Sequence, residues 1–282
     1  MGWEAERVTV RLFATDLDGT LLRSDRTISP RTARAMADAA AAGIDVVWAT
    51  ARARHSVHEF ATQSGFRGIA LCANGAVVID LADGTPVVTR TVGIDIDTGG
   101  AAIARLRSLI PGIVFAAVGP TTFAAEAGYA ALSVFSDHHR DPDTMDLAGE
   151  FPWLDETMVK IVGRHPTVPS VELYRTVIAA GLDGVEVTHS GAPYIEIAAR
   201  GVSKATALAQ LCEERGIARR DTAGAGDARN DLEMLAWVGT PICPANAIPE
   251  VRALVGLVVD SNDEDGVASF LEGVTRSRTE QS

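Results

Sequence analysis

Apolar residues gather early in the chain into short unbroken runs separated by polar punctuation. The run from Val8 to Ala14 is rich in β-branched and large side chains and predicts a buried strand that ends at Thr15-Asp16. Ser29-Pro30 supplies a capping residue followed by proline at a first helical position, so a helix is expected through the alanine-rich stretch to Gly43. Ile44 to Ala49 reads as a second buried strand, residues 53–64 as a helix, and Ile69 to Ala73 as a third strand. Strand and helix thus alternate over the first 75 residues, the pattern of a parallel sheet covered by helices.

The rhythm changes from about Val77 to His189. Strands are expected in hairpin-like pairs at 77–80, 87–91, 113–118, 158–162 and 185–188, with helices over 98–109 and 169–180. The polar, acidic segment Asp137 to Glu150 reads as an exposed loop. After Gly201 the earlier alternation returns, with a helix over 203–215, a short strand from Thr222 to Gly226, a helix over 230–237 and a strand–helix–strand–helix series from Pro241 to Leu271. The tail from Thr275 is polar and is expected to be disordered. The expected architecture is α/β: a discontinuous Rossmann-like core, with a parallel sheet and helices on both faces, over residues 1–82 and 190–282. An α+β domain is inserted at 83–189.

Composition narrows the function. Of 282 residues, 37 are acidic and 25 basic, for a net charge of −12, which argues against a nucleic-acid partner or an anionic membrane surface. An anionic small molecule remains compatible, because a metal ion and a few local cations can reverse the field within one cleft. Basic charge is almost all arginine; the lysines are Lys160 and Lys204. Cys72, Cys212 and Cys243 are far apart and lack zinc spacing, as expected of reduced core thiols in a cytoplasmic protein. No leader pattern opens the chain, and no uncharged apolar run reaches a membrane span.

In open parallel sheets, ligands bind beyond the carboxyl ends of the strands. The first strand delivers Asp16 and Asp18 to that edge, the second Thr50 and Arg52, and the third Asn74. The strand after the insert delivers Asp227, with Asn230 and Asp231 just beyond, and Lys204 opens the next core helix. Carboxylates, a hydroxyl, an amide and cations converging on one edge suit phosphoryl transfer. A carboxylate attacks an anionic phosphate only where cations neutralise both. Asp16 and Asp227 are the carboxylates expected for magnesium, which takes hard oxygen ligands. Thr50 and Lys204 are expected to hold phosphate, and Asp18 to protonate the leaving oxygen and then deprotonate water. Gly19 permits the tight turn between them.

Asp16-Leu17-Asp18-Gly19-Thr20-Leu21-Leu22 resembles the first motif of the haloacid dehalogenase-like superfamily. Thr50-Ala51-Arg52 resembles its second motif in the Cof-type hydrolases, Gly201-Val202-Ser203-Lys204 the third, and Gly226-Asp227-Ala228-Arg229-Asn230-Asp231 the fourth. Asn74-Gly75-Ala76, Asn246-Ala247 and Glu264-Asp265-Gly266-Val267-Ala268 are similar to further Cof-type signatures. The resemblance implies a cap between the second and third motifs, with Asp16 as nucleophile and magnesium ligand. It implies Asp18 as acid/base and backbone-carbonyl metal ligand, Thr50 and Lys204 as phosphate holders, and Asp227 as a metal ligand. Asp231 supports the metal shell and Asn230 lies near the phosphoryl group. Two departures stand out: Ala51 where the family usually has glycine, and Cys243-Pro244-Ala245 before Asn246.

Several residues keep a plainer reading beside a functional one. Arg52 is a site cation or a surface ion pair, and Asn74 a site amide or a turn residue. A structural hydrogen bond is expected for Glu196. His55 and His58 share a helix face as a partly exposed pair, and His138-His139 beside Asp137 and Asp141 are expected in a solvated loop. The expected function is a magnesium-dependent phosphatase of a small phosphorylated metabolite, a sugar phosphate or a phosphorylated cofactor or precursor, acting through an aspartyl-phosphate. A phosphosugar mutase and a non-catalytic phosphometabolite sensor are the alternatives. The sequence leaves the oligomeric state open.

Overall fold

The computed structural model describes residues 10–134, 143, 145–149, 156–189 and 192–279. Its elements run β1 (Leu12–Thr15), α1 (Pro30–Ala41), β2 (Asp45–Ala49), α2 (Arg54–Ser64), β3 (Ile69–Cys72), β4 (Val77–Asp80) and β5 (Val87–Thr91). Then come α3 (Ile96–Leu109), β6 (Val114–Val118), β7 (Phe123–Ala125), α4 (Ala127–Leu132), β8 (Asp146–Leu147), β9 (Lys160–Arg164), α5 (Ser170–Ala180), β10 (Val185–Thr188) and β11 (Ile195–Ala199). The chain ends through α6 (Lys204–Glu214), β12 (Thr222–Ala225), α7 (Leu232–Trp237), β13 (Thr240–Pro244), α8 (Pro249–Leu254), β14 (Leu257–Val259) and α9 (Gly266–Thr279). Two compact units result, one from the residues up to Arg90 and from Ser203 onward, the other from Thr91–Val202.

The first unit carries an eight-stranded sheet in the order β14-β13-β12-β1-β2-β3-β4-β5. From β14 to β3 every neighbouring pair is parallel, whereas β4 is antiparallel to β3. The link lengths explain the switch. Parallel strands need a long crossover, but β3 and β4 are joined only by the single turn Ala73–Gly75, whose residues all take positive φ. Helix α1 starts where the sequence signals it. Ser29 Oγ accepts a bond from the Thr32 amide at 3.0 Å, and Pro30 occupies the first turn. Its buried residues Thr32, Ala35, Met36 and Ala39 follow the spacing of one helical face. Strand β1 is buried along its whole length, as a central parallel strand must be. Register sets Thr15 beside Trp48 of β2 and Ala225 of β12, so the chain leaves these three strands at neighbouring points of one edge.

The second unit holds a six-stranded sheet, β10-β11-β9-β6-β7-β8, antiparallel except for β7 with β8. Alternation along the strands divides its apolar residues between two faces. Phe115, Ala117, Ile161, Ile195 and Ile197 pack with Ile103 and Leu106 of α3 and Leu173 and Val177 of α5. Ala116, Val162 and Tyr194 pack on the other face with Phe123 and Tyr129.

The structure departs from expectation at four places. Strand β5, expected within the insert, belongs to the first sheet, and β11, expected in the core, pairs between β9 and β10 of the second. The chain between β4 and β5 is a short polar turn that continues the core sheet, and β11 returns antiparallel to β10, so the units divide nearer 90 and 202 than 82 and 189. The tail is helical rather than disordered as far as Thr279. Arg278 Nη1 donates to Val10 O at 2.8 Å, and Leu271 and Phe270 are buried. Residues 146–147 form a short strand within the segment expected to be a loop. Val8, His138, His139, Asp137 and Asp141 lie outside the described residues. The three cysteines are free and buried.

Candidate active site

The edge where β1, β2, β3 and β12 end collects polar groups from four parts of the first unit. Asp16 follows β1 directly, and its amide donates to Ala225 O at 2.9 Å, which ties the loop to β12. Lys204 stands in the first turn of α6. That turn is fixed by Ser203, whose Oγ accepts from the Thr206 amide at 3.3 Å while its own amide donates to Thr206 Oγ1 at 3.0 Å. The Lys204 side chain is 0% exposed and donates to Asp16 Oδ1 at 2.5 Å and to Asp231 Oδ1 at 2.6 Å. A fully buried ammonium is tolerated only with such partners.

Asp231 is buried as well. Its Oδ2 accepts from the amides of Asp227 at 3.1 Å and Ala228 at 3.0 Å and so fixes the loop that carries Asp227. The Asp227 carboxylate receives Thr20 Oγ1 at 2.9 Å. Oxygens of Asp16, Asp227 and Asp231 lie within 4.8 Å of one another. Two glycines make the approach possible. At Gly19, with φ at +75°, a Cβ would sit 2.5 Å from Asp227 Oδ2; at Gly226 one would sit 2.4 Å from Asp231 Cβ.

The remaining expected residues form two further groups. Asp18 is bonded through both oxygens to Arg52, Nε to Oδ2 at 2.6 Å and Nη2 to Oδ1 at 2.5 Å. Thr50 is buried, and its Oγ1 accepts from the Arg52 amide at 3.1 Å. The Thr50 carbonyl accepts from the Asn74 amide at 2.8 Å, joining the ends of β2 and β3. Asn230 Nδ2 donates to Asn74 Oδ1 at 3.3 Å. Ala51 is not among the residues with positive φ, so its backbone needs no glycine. In unit two, Glu196 bonds Lys160 at 2.5 Å. His55 is exposed, and His58 Nε2 lies 3.2 Å from Gly84 O.

Electrostatics follow from burial and crowding. Burial pushes the Asp16 carboxyl up to about 8; Lys204 opposes this, and Asp231 and Asp227 add to it. Burial likewise raises Asp227 to about 6, against the Thr20 bond and with help from Asp231. Burial alone would pull the Lys204 ammonium down, but Asp16 and Asp231 outweigh it and hold it above its usual range. When all are ionised, Asp16, Asp18, Asp227 and Asp231 outnumber the two cations they face, Lys204 and Arg52, by two charges. Hard oxygen donors with that excess fit a divalent cation such as magnesium.

A family model described as haloacid dehalogenase-like hydrolase matches residues 13–109 and 129–271. The chain belongs to this family, in its Cof-type branch. Pyridoxal phosphate phosphatase YbhA of Escherichia coli is 26% identical over 94% of this chain and 98% of its own length. The 5-amino-6-(5-phospho-D-ribitylamino)uracil phosphatase YwtE of Bacillus subtilis is 30% identical over 93% of this chain and 97% of its own. A solved protein from Eubacterium rectale superposes with a TM-score of 0.81 at 26% identity, covering 94% of this chain and 99% of that one.

Supporting residues of this haloacid dehalogenase-like site escape a strand-end reading of the sequence. Thr20 orients Asp227, and its signal was its place in the Asp-Leu-Asp-Gly-Thr segment. Asn246 Nδ2 donates to Gly19 O at 2.7 Å and its Oδ1 accepts from the Asn262 amide at 3.0 Å, while Asn262 Nδ2 donates to Leu22 O at 2.9 Å. Arg23 pairs with Asp265 through two bonds, at 3.0 and 2.7 Å. These contacts strap the loop after Asp16 to residues 246–265. Among the described residues, no helix is long and apolar enough to cross a membrane.

Proposed function

We propose that this chain is a magnesium-dependent phosphatase that hydrolyses a small phosphorylated metabolite through an aspartyl-phosphate at Asp16. Phosphate monoester hydrolysis is the reaction its family and relatives share. The observation that carries the finer reading is the cluster in which one buried lysine bonds Asp16 and Asp231 while Asp227 stands within ligand distance of both. Magnesium, when bound, supplies the positive charge that lets a carboxylate approach a phosphate. Asp16 and Asp227 would hold it, with the Asp18 carbonyl; Asp231 keeps Asp227 in place.

Lys204 orients Asp16 and offsets charge on the phosphoryl group. The Thr50 hydroxyl donates to a phosphate oxygen, and Asn230 and Asn74 lie beside it. Asp16 attacks phosphorus as Asp18 gives its proton to the leaving oxygen. Asp18 then takes a proton from the water that attacks phosphorus, and Asp16 leaves as carboxylate. Pyridoxal phosphate and 5-amino-6-(5-phospho-D-ribitylamino)uracil, for which the two relatives are named, support a phosphorylated cofactor or precursor as the substrate class. Three free, buried cysteines fit a reducing, cytoplasmic setting.

The test is phosphate release from a panel of sugar, nucleotide, flavin and pyridoxal phosphates with and without magnesium. Magnesium-dependent release without an activating bisphosphate, lost in Asp16→Asn with the fold intact, is expected. Release that needs a bisphosphate would indicate a mutase, and no release across the panel would indicate a sensor.

A further inference from the structure

Arg52 lies two residues past Thr50, where the sequence suggests a cation for the substrate's phosphate. Three of its five side-chain N–H donors are committed elsewhere, one on each nitrogen. Nε and Nη2 take the two oxygens of Asp18, and Nη1 donates to Ser56 Oγ at 2.8 Å. The guanidinium also lies 4.9 Å from the centre of the Phe60 ring. Its side chain is 10% exposed and that of Asp18 52%. The arginine is therefore the fixed partner: α2 holds it through Ser56 and Phe60, and it in turn holds Asp18. A planar fork on both oxygens of a carboxylate sets direction as well as distance, which a lysine would not.

We propose that Arg52 is a positioning residue for Asp18 rather than a phosphate ligand, an inference that rests on Asp18 being the proton donor of the reaction proposed above. In the first step the bond from Asp16 to phosphorus forms, the bond from phosphorus to the leaving oxygen breaks, and the Asp18 proton passes to that oxygen. An Asp18 carboxyl that carries the proton on one oxygen keeps an arginine bond to the other. Arg52 thus aims the proton and leaves it free to move. Without the fork, a half-exposed aspartate distributes over its rotamers and the aligned population falls.

The experiment compares two kinds of leaving group. p-Nitrophenolate departs without protonation; an alkoxide does not. The burst of leaving-group release is measured with p-nitrophenyl phosphate and with the best-hydrolysed alkyl phosphate of the panel. The proteins are the parent, Arg52→Gln, Asp18→Asn and the double variant, with Ser56→Ala added to loosen the guanidinium without removing it. Arg52→Gln is expected to slow the alkyl burst by roughly 10–100-fold, a part of the roughly 10²–10⁴-fold that a general acid contributes, because the acid itself remains. It should leave the aryl burst and the KM for both substrates nearly unchanged and add nothing in the Asp18→Asn background. Ser56→Ala should show the same pattern, weaker. An equal loss on both substrates that persists beside Asp18→Asn, with weaker inhibition by inorganic phosphate, would make Arg52 a phosphate ligand and overturn the proposal. Should Arg52→Gln fail to fold, a loss in Ser56→Ala that ignores the leaving group overturns it equally. An Asp18→Asn protein as fast as the parent on the alkyl substrate would instead refute the proton-donor assignment itself.

Discussion

Replacing Lys204 by methionine is the sharpest perturbation of the site, because the side chain keeps its volume and loses only its charge. In the structure that charge is 0% exposed and is the direct partner of both Asp16 and Asp231. Removing one partner of a buried ion pair leaves an uncompensated charge and costs about 3–5 kcal/mol. Here two carboxylates are orphaned and a third, Asp227, is close by, so the upper end of that range is expected. Against a total stability of about 5–15 kcal/mol this is a large fraction. At roughly 2–4 °C per kcal/mol for a body of this size, the melting temperature in EDTA should fall by roughly 10–20 °C. Excess magnesium should recover part of the loss, since a divalent ion offsets the same carboxylates. Lys160→Met, which breaks the Lys160–Glu196 pair in the other unit, is the control and should show no such recovery. Phosphatase activity should vanish in the Lys204 variant alone. A Lys204→Met protein within about 1 kcal/mol of the parent in EDTA would refute the reasoning, because the lysine would then not be the counter-charge of the cluster.

Gly19→Ala should weaken the apparent affinity for magnesium in the activity assay, shifting the titration to higher concentration. Its Cβ would meet Asp227 Oδ2 at 2.5 Å and displace a proposed metal ligand, while the positive φ alone costs about 1–2 kcal/mol; an unchanged magnesium titration would contradict this. Asp265→Ala should lower the urea midpoint through loss of the Arg23 fork, with KM unaltered in steady-state kinetics. The metal-free protein should lose stability as pH rises. Asp16 and Asp227 are raised from 3.8 to about 8 and about 6, so the folded state binds more protons than the unfolded state. Their contribution is fully present below about pH 4 and declines through 6 and 8; urea midpoints in EDTA that stay flat or climb over that window would oppose the assignment.

Much of this could be read from residue order, for identifiable reasons. Buried parallel strands are written as short apolar runs, and the first three were located to within a few residues, helped by Pro30 and Gly43, which punctuate the helix between the first two. The rule that ligands bind beyond strand ends then named Asp16, Thr50, Asn74 and Asp227 without further help. Sheet membership was harder. Nothing in Val87–Thr91 or Ile195–Ala199 says which sheet it joins, because both are short β-branched or apolar strands and pairing is decided by partners far along the chain. The far end of the last helix was missed for a related reason. Its exposed face is polar, so Thr275 onward reads as a tail, while its anchor, Arg278 on the Val10 carbonyl, is a contact across nearly the whole sequence. Spacing brings the proposed site residues to one edge but does not give their pairing. That Lys204 reaches both Asp16 and Asp231, and that Arg52 turns to Asp18, depends on side-chain directions that a linear pattern does not encode.

The central claim is that Asp16 carries the phosphoryl group during turnover, and it can be measured on the residue itself. The protein with magnesium and its best phosphate ester is quenched in acid, treated with borohydride to reduce an acyl phosphate, digested, and its peptides are sequenced by mass spectrometry. Reduction of position 16 to homoserine, in the parent and not in Asp16→Asn, is the predicted result. Continued phosphate release with no modified residue, or with the modification at Asp18, Asp227 or another carboxylate, would contradict it.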